Sequence, residues 1–140
     1  MATKTYYFSG VCEWFKKDDE YRKHSLDLYM DEPSWEKFEK SGAQLKRREK
    51  NGRRFVSFGR SFEKMIKGEV KTLGPPLIID VDGESIELKK IGNGSSVTCK
   101  VNVYDTPKGK GTELVAVRVD NLIEYNPTEI EVDETEKSPF

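Results

Sequence analysis

Only two cysteines and one histidine occur in these 140 residues. Cys12 and Cys99 stand far apart, each inside an apolar, strand-like run, and read as buried free thiols rather than as a disulfide or a metal pair. His24 has no second histidine and no Cys-x-x-Cys pair to join, which sets a zinc site aside, and no cofactor is expected. Long apolar runs are absent, and Met1-Ala2-Thr3-Lys4 lacks the apolar stretch of a signal peptide. A cytoplasmic chain with no membrane partner is therefore expected. An excess of one charge sign is missing as well, since the net charge is only −1.

That average conceals an asymmetry. Residues 37–71 carry twelve basic and four acidic residues, whereas residues 126–140 carry five acidic residues and one lysine. Hydrophobic and charged residues each make up 35% of the chain, so a modest core beneath a densely charged surface is expected. The length suits one domain, placed at 1–125, followed by an acidic, flexible tail at 126–140 whose like charges and few apolar residues predict disorder.

The basic charge concentrates between Leu45 and Arg60, where seven Lys or Arg residues and two Phe share sixteen positions with one carboxylate. Asn51-Gly52 is a tight-turn dipeptide, so the stretch reads as a basic hairpin. Phosphates bind cations and unstacked bases bind flat aromatic faces, so a β surface carrying both suits single-stranded nucleic acid. A merely solvated basic hairpin is the plain alternative.

Elsewhere, period-two alternation marks the strands. Tyr6 to Phe15 is rich in aromatic and β-branched residues, with Gly10 marking a bulge or sharp bend. His24 to Asp31 alternates Leu26, Leu28 and Met30 against Ser25, Asp27 and Tyr29. Asp31-Glu32-Pro33-Ser34 opens a short helix carrying Trp35 and Phe38, and Ser41-Gly42 closes it. Gly74-Pro75-Pro76 precedes a short apolar strand at 77–81. Val97, Cys99, Val101 and Val103 alternate with Thr98, Lys100, Asn102 and Tyr104, and the following strand offers Val115, Val117 and Val119 as its core row. About five main strands and one short helix, without long crossover helices, predict a mainly β fold. A five-stranded Greek-key barrel of the oligonucleotide/oligosaccharide-binding (OB) kind satisfies that count, with an SH3-like barrel as competitor.

The expected nucleic-acid contacts are Lys46, Arg47, Arg48, Lys50, Arg53, Arg54 and Arg60 for phosphates, joined by Lys16, Lys17 and Lys100. Trp14, Tyr29, Phe55, Phe58 and Tyr104 are the stacking candidates, Tyr104 foremost, and alternation leaves open whether Phe55 or Phe58 faces outward. Catalysis is not expected. Asp80-x-Asp82-x-Glu84 is the one carboxylate group that could hold a nuclease metal, and a strand-end turn explains it better. A protein-interaction adaptor, gripping an acidic partner with the basic hairpin, remains the alternative function.

Several motifs, in order, resemble the single-stranded DNA-binding proteins of tailed bacteriophages, which pair an OB-fold with an acidic tail ending in Phe. They are Trp35-x-x-Phe38, Ser41-Gly42-x-x-Leu45-Lys46-x-Arg48-Glu49, Phe58-x-Arg60, Ile66-x-Gly68, Gly74-Pro75-Pro76 with Asp80-x-Asp82-Gly83, Ile91-Gly92-Asn93-Gly94-Ser95, and Val117-Arg118-Val119-x-Asn121-Leu122-x-Glu124-Tyr125. Ser138-Pro139-Phe140 is similar also to the tail of bacterial single-strand binders, with Lys137 as a departure. The resemblance implies a protein that coats single-stranded DNA in replication, recombination or repair. It also implies that Glu129, Glu131, Asp133, Glu134, Glu136, Pro139 and Phe140 recruit a polymerase, helicase or nuclease. The tail's carboxylates are expected to compete with DNA for the basic groove.

Overall fold

The computed structural model describes residues 3–123. The tail, with its candidate residues, and the proposed boundary at 125/126 lie outside them. In chain order the elements are β1 (Thr3–Asp18), β2 (Lys23–Met30), α1 (Glu32–Ser41), β3 (Arg48–Lys50), β4 (Arg53–Ser61), β5 (Glu63–Ile66), β6 (Glu69–Thr72), β7 (Leu77–Asp80), β8 (Ser96–Thr106) and β9 (Gly109–Asn121). Seven strands form one sheet in the order β3-β4-β2-β1-β8-β9-β7, and β5 and β6 form a separate hairpin.

β1 organises the sheet by serving two neighbours. Its first part pairs with β8, from Thr3↔Tyr104 to Val11↔Ser96, and its last part pairs with β2, from Gly10↔Met30 to Asp18↔Lys23. Gly10 is where the two ladders overlap. A Cβ there would sit 2.1 Å from the Tyr29 carbonyl oxygen, so the close approach of β2 demands glycine. Both ladders run through Gly10 in register, and the irregularity expected there lies instead between Glu13 and Lys16, with Trp14 at φ 52°.

β1, β2, β4, β8 and β9 are the five OB strands, and β3 and β7 extend the sheet at its edges. β4 and β9 lie side by side without a hydrogen-bonded ladder, so the sheet is not closed. Arg60 of β4 bridges this seam to Glu113 of β9 at 3.0 Å. The core fills the interior with Phe8, Leu26, Leu28, Val56, Val97, Cys99, Val101, Leu114 and Val117. Phe8, Phe38 and Phe58 pack their rings against one another, Phe8 stacking on Phe58 at 5.6 Å and meeting Phe38 edge-on at 5.8 Å. Val115 does not join the core row. The register shift after Lys100↔Ala116 makes it an extra residue, and Leu114 points inward instead.

α1 begins and ends as its sequence dictates. The Asp31 side chain accepts from the Ser34 N–H at 2.9 Å, Pro33 occupies the first turn, and Gly42 caps the end at φ 76°. Its buried face presents Trp35 and Phe38 to the core, and its first turn is tied to β1 through a Ser9 N–H to Ser34 Oγ bond of 2.8 Å. The β3–β4 hairpin turns at Asn51 and Gly52, both with positive φ.

Candidate nucleic-acid interface

The pairing registers decide which side chains share the outer face of β3, β4, β2 and the last part of β1. Because Leu26, Leu28, Val56 and Phe58 point inward, their neighbours Ser25, Asp27, Tyr29, Phe55, Ser57 and Gly59 point outward. Across this face run the rows Arg48↔Phe55, then Glu13↔Asp27↔Ser57, then Lys16↔Ser25↔Gly59. Small residues therefore make a trough along the middle. Exposed Arg48, Lys50 and Arg53 stand at one end, and Lys16 and Lys23 at the other.

Tyr29 and Phe55 face each other in the trough at 5.0 Å between ring centroids. Both are largely covered, at 7% and 8% exposure, and Arg53 lies over the Tyr29 ring at 4.5 Å. Neither ring belongs to the packed core cluster, and what lies over Tyr29 is a long exposed side chain. Tyr29 donates to Glu13 Oε1 at 3.1 Å, and its phenol is pushed above its ordinary value by burial first and by that carboxylate second. The second acidic group on this face, Asp27, accepts from Ser57 Oγ at 2.5 Å.

The remaining expected contacts are dispersed. Phe58 is a correction: at 1% exposure it belongs to the core, so Phe55 is the outward member of the pair. Arg47 and Arg54 are directed to α1 rather than to the trough. Arg47 makes a two-pronged contact to Glu39, both bonds 2.7 Å, and lies over the Phe38 ring at 5.0 Å, while Arg54 lies over Trp35 at 4.4 Å. The bond to Arg47 holds the Glu39 carboxyl below its ordinary range. Lys46, exposed just before β3, stays near the basic end.

Arg60 lies at the seam, and Tyr104 is linked to it through Lys64 and Glu113. Arg60 binds Glu113 and also the Gly74 carbonyl at 2.8 Å, and Lys64 lies 3.8 Å from Glu113 and 4.6 Å from the Tyr104 ring centroid. The Tyr104 ring packs flat against Gly111, where a Cβ would meet it at 2.5 Å. Lys100 shares the outer face of β8 with Tyr104, a wall set apart from the basic hairpin by the β1 and β9 strands.

A third group surrounds the β1–β2 turn. Trp14 is 56% exposed at the β1 irregularity, its backbone N–H donating to Asn93 Oδ1 at 2.7 Å. Phe62 is flanked by Lys17 at 5.6 Å and Arg22 at 5.7 Å, and Lys23 lies 6.0 Å from the centroid of exposed Tyr21. Sequence reasoning missed Tyr21, Arg22, Lys23, Phe62 and Lys64. The adjacent Tyr21-Arg22-Lys23 was the available signal, because an aromatic beside two cations in a turn has the same composition as the basic hairpin. His24 is buried beside Phe62 with its Nδ1 unpartnered. Asp80 Oδ1 accepts from the N–H groups of Asp82 at 2.9 Å and Glu84 at 3.0 Å, so the one suggestive carboxylate group is a turn.

No known protein-family model matches the chain, and no curated protein sequence matches it. Solved structures do. The single-stranded DNA-binding protein gp2.5 of bacteriophage T7 superposes with a TM-score of 0.60 at 18% identity, covering 99% of this chain and 98% of that one. A C-terminally truncated single-stranded DNA-binding protein from bacteriophage Enc34 superposes with a TM-score of 0.55 at 15% identity, covering 88% and 87%. The chain therefore shares the OB-like fold of these phage single-stranded DNA-binding proteins.

Proposed function

We propose that this chain binds single-stranded DNA without sequence preference, as a non-enzymatic accessory in the DNA replication, recombination or repair of a bacteriophage. The observation that carries the reading is the Tyr29–Phe55 pair, with Arg53 over the Tyr29 ring and Arg48 and Lys50 beside it, on an OB face. Moving Arg53 off the Tyr29 ring gives up a cation–π contact of about 0.5–1 kcal/mol. A base stacking in its place returns about 1–3 kcal/mol, and the released guanidinium gains a phosphate. The exchange favours an unpaired strand, since a duplex keeps its base faces occupied.

Lys16, Lys17 and Trp14 continue the path beyond the small-residue trough, with Lys46 at its other end. Tyr104 and Lys100 offer a further contact region beyond the seam. The acidic residues Glu129, Glu131, Asp133, Glu134 and Glu136 compete with phosphates for the same cations, and Pro139 and Phe140 recruit replication proteins once DNA displaces the tail. Among the described residues no helix is long and apolar enough to cross a membrane, and the host cytoplasm is the proposed location.

Titrating a fluorescent oligo-dT and a duplex of equal length tests this reading. Strong binding of oligo-dT over duplex is expected. An inert oligo-dT would overturn it and favour the adaptor, and Mg²⁺-dependent cleavage would reveal an enzyme.

A further inference from the structure

Trp14 combines two features that a stable fold does not ask of the same residue. Its backbone lies in the left-handed region, at φ 52°, where the Cβ of a bulky side chain crowds the carbonyl that follows. Its indole is nonetheless more than half exposed, so little packing is gained in return. Glycine fits such a position without strain. The pairing of β1 with β2 shows why the residue is turned out. Glu13 pairs with Asp27 and Lys16 with Ser25, so Trp14 and Phe15 together stand opposite Leu26 in a β-bulge. Phe15 and Leu26 take the buried places, and Trp14 is left at the edge of the trough, between the rows of Glu13 and Lys16.

The bulge is held from its other side. β1 parts from β8 after Val11↔Ser96, and the turn that precedes β8 takes over the edge of β1 from there. The Cys12 N–H donates to the Ser95 carbonyl and the Gly94 N–H to the Cys12 carbonyl, both at 2.9 Å. The next donor along β1 on this edge, the Trp14 backbone N–H, is met by a side chain instead, Asn93 Oδ1 at 2.7 Å. Asn93 thus supplies the acceptor that a neighbouring strand would supply elsewhere, and supplies it to the strained residue itself. Strain of this kind persists only where the surroundings hold it, and residues held so cluster at ligand contacts.

We infer that Asn93 is a positioning residue for nucleic acid: its bond to the Trp14 N–H holds the β1 bulge in the form that turns the indole outward, as a platform for an unpaired base at the edge of the trough. The inference rests on the DNA-binding reading above and adds to it a residue that acts without touching the strand. Stacking on an indole involves no phosphate, so the share of affinity that depends on Asn93 persists when salt screens the cations.

The test titrates the full-length protein with oligo-dT at low and high salt, following both the anisotropy of a label on the oligomer and the fluorescence of the protein. W14A should bind about tenfold more weakly at either salt concentration. N93A should show most of that loss, and W14A/N93A should bind no more weakly than W14A, because Asn93 acts through Trp14. W14F keeps a stacking ring and should bind nearly as the wild type does, but without the fluorescence quenching, since Trp35 is buried. Wild-type affinity in W14A or N93A would overturn the inference and leave the DNA-binding reading standing. Losses that add in the double variant, or quenching retained in W14F, would overturn it too. A wild type that ignores oligo-dT would overturn both.

Discussion

Arg53 and Phe55 are two residues apart, and their expected behaviour separates the two forces at the site. Removing Phe55 with F55A takes away a stacking surface, so oligo-dT affinity should fall by about 1–3 kcal/mol with little change as salt rises. R53A removes a cation and should cost most at low salt, the difference closing as the electrostatic contribution is screened. Fluorescence titrations at two salt concentrations check both. F58A is the control, because it opens the core and should cost about 3–5 kcal/mol of folding stability in chemical denaturation.

His24 offers a prediction of a different kind. Burial first, then the charges of Lys17 and Arg60, hold its pKa below the ordinary value. The unfolded chain therefore takes up a proton more readily than the folded one. Stability should be at its full value above the unfolded pKa near 6.5, and should decline as pH falls from there toward the lowered folded value. Urea unfolding at pH 7.5 and 5.5 should show this loss in the wild type and a smaller loss in H24Q. Cys12 is simpler: burial pushes its pKa up to about 11, and the Cys99 thiol is raised further still. Neither should react with a thiol reagent at pH 8 until the protein unfolds, which absorbance with Ellman's reagent would reveal.

Among the elements, β1 sits at the middle of the sheet, and its two ladders overlap at Gly10. G10A would force its Cβ into the Tyr29–Met30 backbone, so a loss of about 1–3 kcal/mol or more is expected in thermal or urea unfolding. The seam is held differently, by the half-buried Arg60–Glu113 pair. A double-mutant cycle of R60A and E113A should show a coupling of about 1 kcal/mol, at the upper end of surface pairs.

The elements most readily legible in the sequence are those whose signals are local. Asn51-Gly52, the Asp31–Gly42 caps, and the alternating rows of β2 and β8 each act over a few residues, and each is found where expected. Residues 61–73 read only as mixed and basic, yet they form the β5–β6 hairpin, which turns at Lys67 and Gly68 with positive φ. Side-chain parity told which residues share a strand face, but not what lies opposite. Arg54 and Arg60 differ from Arg53 in facing α1 and the seam, and only tertiary packing supplies Trp35 and Glu113 as their neighbours. The candidate site was legible in its composition and dispersed in its geometry. The basic hairpin itself forms as expected, Tyr104 is on another wall, and the turn cluster around Phe62 carries no equally local signal.

Over the whole molecule, charge is divided rather than balanced. The basic block 37–71 supplies both the hairpin that faces the trough and the cations that steady α1 and the seam, so not all of its twelve positive charges are available to a ligand. Electrostatic binding should accordingly be weaker than the sequence count implies, and the acidic segment 126–140 should weaken it further at low salt. Phosphates are expected to be held at Arg48, Lys50 and Arg53. For single-stranded DNA, each phosphate contact contributes about 0.7 to the slope of log affinity against log salt concentration. The most direct measurement compares that slope for oligo-dT between the wild type and the R48A/K50A/R53A variant. A slope shallower by about 2 is expected in the variant. An unchanged slope would move the phosphate path to another face of the domain.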